Sequence, residues 1–182
     1  YPKGSFRQEV RDGIAYKLDI SDMVDWYIYF GFKEPARETL LSLIPKGACF
    51  LDVGANVGQV TLHASRLVGP EGRVIAFEPT PFNLERLKAN LKLNPAQNVT
   101  VEELGLGDRA GSFLISNVDE GNQGMNRIVQ QSPDAGRTAA IQVTTLDAYI
   151  NEHNLAKVDV IKIDVEGFEF NMLNGARDTF EK

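Results

Sequence analysis

The fold of this chain is decided by the stretch Phe50-Leu51-Asp52-Val53-Gly54-Ala55-Asn56-Val57-Gly58-Gln59. The stretch begins as a run of mostly apolar residues, which is typical of a parallel strand covered on both faces. Gly54 and Gly58 then remove side chains where the backbone turns tightly and where a ligand could approach it. A helix that begins directly after the turn points unpaired N–H groups into the same gap. The stretch therefore predicts a buried strand, a glycine turn and a helix, with a ligand site beside the turn.

Further strands and helices alternate along the rest of the chain. Strands are predicted at 73–77, 99–104 and 158–163, with a short extra strand at 112–116 and an extended segment at 141–143. Helices are predicted after the glycine turn up to Gly69, from Pro81 to about Asn94, and over 168–174. Such βαβ units build a mostly parallel sheet with helices on both faces, and ligands bind beyond the carboxyl ends of its strands. The sequence therefore predicts an α/β fold.

Local patterns make three further structural predictions. The helix after the glycine turn has Val57, Val60, Ala64 and Leu67 at helical spacing, which predicts its buried face. Thr144-Thr145-Leu146-Asp147 matches a capping box that opens another helix. Residues 117–138 show little periodicity, which predicts a long loop. Its Asn122–Asn126 segment is interpreted either as part of a substrate lid or as a disordered stretch.

Residues 1–46 form an N-terminal region ahead of a predicted main domain at 47–182. Arg11-Asp12-Gly13 is a turn signal that predicts a hairpin, and Glu34-Pro35 opens a helix. The segment from Asp22 to Phe32 is rich in aromatic residues. Two interpretations stay open for this segment: a flap whose rings pack on the domain, or a lid over the ligand site.

The composition limits the class of partner. The chain has 182 residues and a formal charge of −6, so a broad phosphate-binding surface is disfavoured and no nucleic-acid partner is expected. Cys49 is the single cysteine, which favours a reducing compartment and predicts a cytoplasmic location. The sequence contains no 18-residue apolar span, so no membrane partner is expected.

Four acidic residues lie at or just after predicted strand ends: Asp52, Glu78, Asp108 and Asp164. Glu78, at the end of the second strand, can accept hydrogen bonds from both hydroxyls of a ribose. The first turn lacks the G-x-G-x-x-G of dinucleotide sites, and the chain contains no P-loop. Asp52 would repel a pyrophosphate but can accept a charged amine, and Asp108 could accept from an adenine amino group. These features favour S-adenosylmethionine as the ligand.

Several segments together resemble the FkbM family of S-adenosylmethionine-dependent methyltransferases. They are FLDVGANVGQVTL, VIAFEPTPFNLERLKANLKLN, LGLGD, TTLDAYI and VDVIKIDVEGFEFNMLNGA, and the resemblance covers roughly residues 24–176. The resemblance implies a Rossmann-like class I methyltransferase fold. It also implies O-methylation of a small metabolite or of a sugar or glycan hydroxyl.

The resemblance also implies roles for particular residues. Asp52, Gly54, Asn56 and Gly58 are expected around the methionine part, Glu78 at the ribose and Asp108 near the adenine. The full set predicted to bind the cofactor is Asp52, Gly54, Ala55, Asn56, Gly58, Glu78, Pro79, Gly107, Asp108 and Asp164. Asp164 and Glu166 are expected to face the reacting methyl group.

Transfer of a methyl group to an alcohol needs a base or a metal that removes the hydroxyl proton. Asp164 is the leading candidate for the base and Glu166 is the second. The alternatives are an Asp164 carboxylate satisfied by backbone N–H groups, and a solvated helix start for Glu166 and Glu169. Two carboxylates are too few donors for a typical oxygen-ligand metal site, so no metal ligand is predicted. His63 and His153 are interpreted as structural.

The chain departs from the family pattern after the helix that begins near Phe168. The family sheet has further strands there, whereas this chain stops at Lys182. Without them the 158–163 strand would be an exposed apolar edge, so we expect either a fragment or a second chain that covers the edge. Two other functions stay open: a non-catalytic S-adenosylmethionine-binding module, and a methyltransferase acting on a macromolecule. The acceptor and the oligomeric state are not predicted.

Overall fold

The computed structural model describes residues 1–117, 126–129 and 138–181. The strands are β1 (Phe6–Arg11), β2 (Ile14–Asp19), β3 (Cys49–Val53), β4 (Arg73–Phe77), β5 (Val99–Glu102), β6 (Gly105–Leu106), β7 (Gly111–Asn117), β8 (Asn126–Val129), β9 (Thr138–Thr144) and β10 (Val160–Ile163). The helices are α1 (Met23–Tyr29), α2 (Pro35–Ser42), α3 (Gln59–Val68), α4 (Pro81–Lys92), α5 (Leu146–Glu152), α6 (Glu169–Asn174) and α7 (Arg177–Phe180). None of the helices in these ranges is long and apolar enough to cross a membrane.

The central sheet has the strand order β10-β3-β4-β5, and every neighbouring pair is parallel. All five residues of β3 are buried, as expected for a strand that is covered on both faces. The register places Lys162 of β10 opposite Asp52 of β3. The predicted strand, glycine turn and helix are all present, so the prediction of an α/β fold with a mostly parallel sheet is confirmed.

Helices cover both faces of this sheet, because alternate residues of β3 point in opposite directions. On one face Cys49, Leu51 and Val53 pack with residues of α5 and α6, among them Leu146, Tyr149 and Met172. On the other face Phe50 packs with Ala64 and Val68 of α3 and with residues of α2. The carboxyl ends of β3, β4 and β10 therefore open between two helical layers.

The prediction of which residues of α3 are buried is wrong in part. Leu67 is 38% exposed, whereas the polar residues Thr61 and Ser65 are buried. Both hydroxyls have partners: Thr61 Oγ1 donates to Asp52 Oδ2 at 2.6 Å, and Ser65 Oγ donates to Asn98 Oδ1 at 2.5 Å. Hydroxyls that are satisfied in this way can be buried without a large free-energy penalty. A count of apolar residues does not detect such positions.

The predicted capping box at the start of α5 is also wrong in its details. The N-cap is Thr145, whose side chain accepts a hydrogen bond from the backbone N–H of Ala148. Asp147 instead binds α7, accepting from the backbone N–H groups of Asp178 and Thr179 and from the Thr179 hydroxyl. The N-cap residue of α7 is Ala176, whose side chain cannot accept a hydrogen bond. Asp147 therefore supplies the cap of α7 from another helix.

A second sheet follows the third parallel strand, with the strand order β6-β9-β7-β8. The extra strand at 112–116 and the extended segment at 141–143 are confirmed as β7 and β9. The long loop predicted at 117–138 is wrong where β8 pairs antiparallel with β7. A four-residue strand is too short to produce a visible alternation, so pairing alone reveals it. The Asn122–Met125 part of the proposed lid lies outside the described residues.

The N-terminal region packs directly on the main sheet unit. β1 and β2 form the predicted hairpin, and Asp12 and Gly13 at its turn both have positive φ. The hairpin shares a core with the glycine turn and α3, formed by Ile14, Tyr16, Leu18, Ile28, Val57 and Leu62. Asn90 of α4 and Asn94, just after that helix, also hydrogen-bond to the backbone of β2. The N-terminal region therefore shares a hydrophobic core with the glycine turn and α3 of the main domain.

The aromatic segment forms α1 and the turn that follows it. Trp26 packs against Phe30 and Phe32, with ring centroids 4.7 and 5.2 Å apart. Tyr27, Phe30 and Phe32 nevertheless remain nearly half exposed. Met23 and Val24, at the beginning of the helix, line the cleft described below. The rings pack on one another and the first turn of the segment borders the site, and both interpretations of the segment stay predictions.

Candidate functional site

A cleft of about 480 Å³ opens at the carboxyl ends of β3, β4 and β10. Among the residues predicted to form the site, Gly54, Ala55, Asn56, Glu78, Pro79, Asp164 and Glu166 line it. Asp52, Gly58, Gly107 and Asp108 do not line the cleft. Its volume lies within the range of small-molecule sites, and its position is the usual one for ligands of parallel sheets.

The glycine turn is shaped by a close approach of β10. Gly54 has a φ of +80°, and a Cβ at this position would lie 2.0 Å from the carbonyl oxygen of Asp164. The backbone N–H groups of Gly54 and Ala55 both donate to the carbonyl of Phe77, each at 3.0 Å. Any side chain at position 54 would therefore separate the two strands. The turn holds a backbone path that only glycine can follow.

Glu78 connects this turn to the turn after β4. Its carboxylate accepts from the backbone N–H of Asn56 at 2.8 Å and from that of Thr80 at 2.9 Å. The side chain lines the cleft although only 4% of the residue is exposed. Burial raises the pKa of Glu78, and the hydrogen bonds from Thr80 and Asn56 oppose that shift. Glu78 is thus a buried acceptor held rigidly at the cleft wall.

Asp52 is completely buried behind the glycine turn rather than in the cleft. One carboxylate oxygen accepts from Thr61, and the other lies 3.2 Å from Lys162 Nζ. Lys162 also donates to the carbonyl oxygen of Gly54 at 2.6 Å and to that of Val53 at 3.3 Å. Its ammonium group therefore neutralises Asp52 and holds the backbone of the turn at the same time.

Lys162 was missed as a functional residue, although a signal existed. A lysine in the middle of the apolar VDVIKI strand needs a partner if it is buried, and its side chain is only 12% exposed. The identity of the partner, Asp52, follows only from the parallel register of β10 with β3.

Asp164 and Glu166 lie at the end of β10 and border the cleft. The Asp164 side chain is 67% exposed, and its Oδ2 lies 3.7 Å from Lys162 Nζ. Glu166 adopts a left-handed backbone with a φ of +48°. Glu169 has a different role, since its Oε1 accepts from the backbone N–H of Gly167 at 3.1 Å, and this bond lowers the pKa of Glu169. Glu169 therefore stabilises the loop that presents the other two carboxylates.

Gly107 and Asp108 lie beside α6 rather than in the cleft lining. A Cβ on Gly107 would lie 2.8 Å from the ring of Phe168. Asp108 Oδ2 accepts from Asn171 Nδ2 at 3.3 Å. The cleft wall near this point is instead formed by Leu104, Gly105 and Leu106. The contact of Asp108 with a nucleobase stays a prediction.

The two histidines lie away from the cleft. His63 Nδ1 lies 2.9 Å from the carbonyl oxygen of Gln59, and burial lowers the pKa of His63. His153 stacks on the ring of Tyr149 at 4.0 Å. Within the described ranges, no cluster of three or more histidine, cysteine, aspartate or glutamate side chains is placed to hold a metal ion.

The arrangement can bind a ligand whose hydroxyl groups lie near Glu78, and it can also bind a proton-donating group near Asp164. Glu78 offers a buried carboxylate that accepts hydrogen bonds, and Asp164 offers an exposed carboxylate that can take a proton. Apolar residues of the second sheet, including Ile115 and Ile141, form part of the remaining wall. The site thus combines a few hydrogen-bond acceptors with an apolar wall, as is usual for small-molecule sites.

The sequence profile described as the Methyltransferase FkbM domain matches residues 52–182. Among curated proteins, Methyltransferase 1 of Beauveria bassiana is 28% identical over 152 residues, covering 74% of this chain and 60% of that protein. The 31-O-demethyl-FK506 methyltransferase FkbM of Streptomyces tacrolimicus is 28% identical over 159 residues, covering 72% of this chain and 60% of that protein. The chain therefore spans about three fifths of the length of these relatives.

A solved structure supports the likeness in fold. The structure of Methyltransferase FkbM from Methylobacillus flagellatus has a TM-score of 0.50 and 23% sequence identity, and the match covers 74% of this chain and 30% of that one. The predicted Rossmann-like methyltransferase architecture is confirmed.

Proposed function

This chain belongs to the FkbM methyltransferase family, and from that membership we propose that it transfers a methyl group from S-adenosylmethionine to a hydroxyl oxygen. The proposed acceptor is a small metabolite or a sugar. The name of the Streptomyces tacrolimicus relative supports oxygen as the acceptor atom, since it describes a substrate that lacks an O-methyl group. The net charge of −6 argues against a nucleic-acid acceptor.

The geometry of Glu78 is the observation that carries the cofactor proposal. The carboxylate has about four acceptor sites. The backbone N–H groups of Asn56 and Thr80 and the Thr80 side chain use three of them, so one remains that can accept from a ribose hydroxyl. Because burial weakens competition from water, such hydrogen bonds are stronger here than at the surface. The cleft residues therefore fit the nucleoside part of S-adenosylmethionine.

The glycine turn is the proposed site of the methionine part. Gly54, Ala55 and Asn56 line the cleft there. We assign Asp52 a positioning role, because it is fully buried and acts on the turn through Lys162. Gly58 has a similar indirect role, since a Cβ there would lie 2.5 Å from Leu87.

S-adenosylmethionine, when bound, supplies the methyl group. The chain must then orient the acceptor hydroxyl and accept its proton. Asp164 is the proposed general base, because its carboxylate borders the cleft and is accessible to an acceptor. Glu166 is the second candidate, since it borders the same part of the cleft.

Two measurements test this function. Calorimetry with S-adenosylhomocysteine is expected to show binding to the wild type and much weaker binding to Glu78→Gln, with the exposed Glu71→Gln as a charge-matched control. Absence of binding to the wild type would refute the proposal. Transfer of a labelled methyl group to a pooled metabolite and glycan extract separates an enzyme from a binding module. Asp164→Asn should keep the calorimetric affinity while losing most of the transfer.

A further inference from the structure

Arg37 of α2 lines the same cleft, and its guanidinium has no described partner. Its Nε is buried and makes no hydrogen bond. Glu34, one turn earlier, also lines the cleft but forms no ion pair with Arg37 among the described residues. A buried guanidinium N–H without an acceptor is unfavourable. Such a group favours a ligand that brings a hydrogen-bond acceptor.

Arg37 lies at the glycine-turn end of the cleft. One helical turn later, Leu40 packs in the same core cluster as Val60, which belongs to the first turn of α3. Gln59 and Val60 line the cleft together with Arg37. Burial lowers the pKa of His63, and the charge of Arg37 contributes to the shift, so the guanidinium lies near α3. Since α3 begins directly after Gly58, Arg37 faces the region assigned to the methionine part.

Among the described residues that line the cleft, the cations are Arg37 and Lys162. A lysine ammonium has three donors, and those of Lys162 already face the Gly54 and Val53 carbonyls and the Asp52 carboxylate. Lys162 therefore has no spare donor for a ligand. Arg37 is the cation that remains available, and a guanidinium matches a carboxylate in a bidentate geometry.

We propose that Arg37 binds the α-carboxylate of the methionine part of S-adenosylmethionine. The inference rests on the proposed function, since it assigns one end of the same ligand. The acidic residues of the cleft can accept hydrogen bonds from hydroxyl and ammonium groups, but they repel a carboxylate. A cation at the glycine-turn end thus explains how one cleft holds a zwitterionic amino-acid group.

Decarboxylated S-adenosylmethionine tests this assignment, because it lacks only the carboxylate. In calorimetry, the wild type is expected to bind S-adenosylmethionine about 10- to 100-fold more tightly than the decarboxylated compound. Arg37→Gln should lose that factor for S-adenosylmethionine and bind the decarboxylated compound as the wild type does. Arg37→Lys should recover only part of the factor, because an ammonium cannot form the bidentate pair. Lys46→Gln, an exposed charge outside the cleft, should leave both affinities unchanged.

The other outcomes separate the possible errors. Equal weakening of both ligands by Arg37→Gln would show a structural effect and overturn the proposal. Discrimination that survives in Arg37→Gln would assign the carboxylate to another group and also overturn it. Wild-type binding of the two compounds with equal affinity would refute the carboxylate contact alone. Binding of neither compound to the wild type would instead refute the proposed function itself.

Discussion

Gly54→Ala is expected to be strongly destabilising. Two effects add at this position. A φ of +80° is unfavourable for alanine by about 1–2 kcal/mol. The new Cβ would also lie 2.0 Å from the Asp164 carbonyl, so β3 and β10 must separate, and overpacking of this kind is destabilising by about 1–3 kcal/mol. The sum is roughly 2–5 kcal/mol of unfolding free energy.

Two control variants separate these effects. Gly47 has a φ of +75° with nothing within 4 Å of its Cβ position, so Gly47→Ala carries the backbone strain alone. Gly175 has a φ of −85°, but its Cβ would lie 1.9 Å from the carbonyl oxygen of Gly107, so Gly175→Ala carries the clash alone. We expect the loss for Gly54→Ala to be close to the sum of the two losses.

Urea unfolding followed by far-ultraviolet circular dichroism measures the three free energies. With an m-value of roughly 1–3 kcal/mol/M, the Gly54→Ala midpoint should fall by about 1 M or more. S-adenosylhomocysteine affinity should fall as well for Gly54→Ala, since the turn lines the cleft, but not for Gly47→Ala. If Gly54→Ala is no more destabilising than Gly47→Ala, the close approach of β10 is not what requires glycine at this position.

Three further predictions concern the buried charges. Lys162→Met leaves the Asp52 carboxylate buried without its cation, so the free energy of unfolding should fall by about 3–5 kcal/mol. The double variant Lys162→Met with Asp52→Asn should recover part of this loss, and urea titrations measure both values. Burial raises the pKa of Glu78, and ribose binding needs the charged carboxylate, so the affinity for the ligand should fall as the pH decreases through that raised pKa. Calorimetry at several pH values measures this dependence, which should be absent in Glu78→Gln. Burial raises the pKa of Asp25 from 3.8 to about 6, against the opposing charge of Arg86. The folded state therefore binds the proton more tightly, and its stability should decline by about 2–3 kcal/mol between pH 4 and pH 7, a slope that Asp25→Asn should remove.

The order of strands and helices could be predicted because it depends on local patterns. The signals that predicted these elements come from residues close together in the sequence. They are the buried run into Gly54, the proline at the start of α2 and of α4, and the apolar runs at 73–77 and 158–163. The rule that ligands lie at the carboxyl ends of parallel strands then placed Glu78 and Asp164 at one cleft.

The predictions from sequence are wrong where a side chain or a strand has its partner in a distant part of the chain. The capping role of Asp147 goes to α7, and Ser65 is buried because Asn98 lies beside it. The strand β8 exists only as a partner of β7. None of these contacts leaves a periodic pattern, since each depends on how two separate segments meet.

The α/β order of this protein, its glycine turn and the acidic residues at its strand ends can all be predicted from local sequence, because each is encoded by residues close to one another. Tertiary structure alone decided which acids face the cleft and which are buried behind it. Asp52 pairs with Lys162 through the register of two strands that are distant in sequence, and Arg37 reaches the cleft because α2 packs on α3. Charges in a protein interior are set by the partners that packing supplies, and packing joins residues that no local pattern connects.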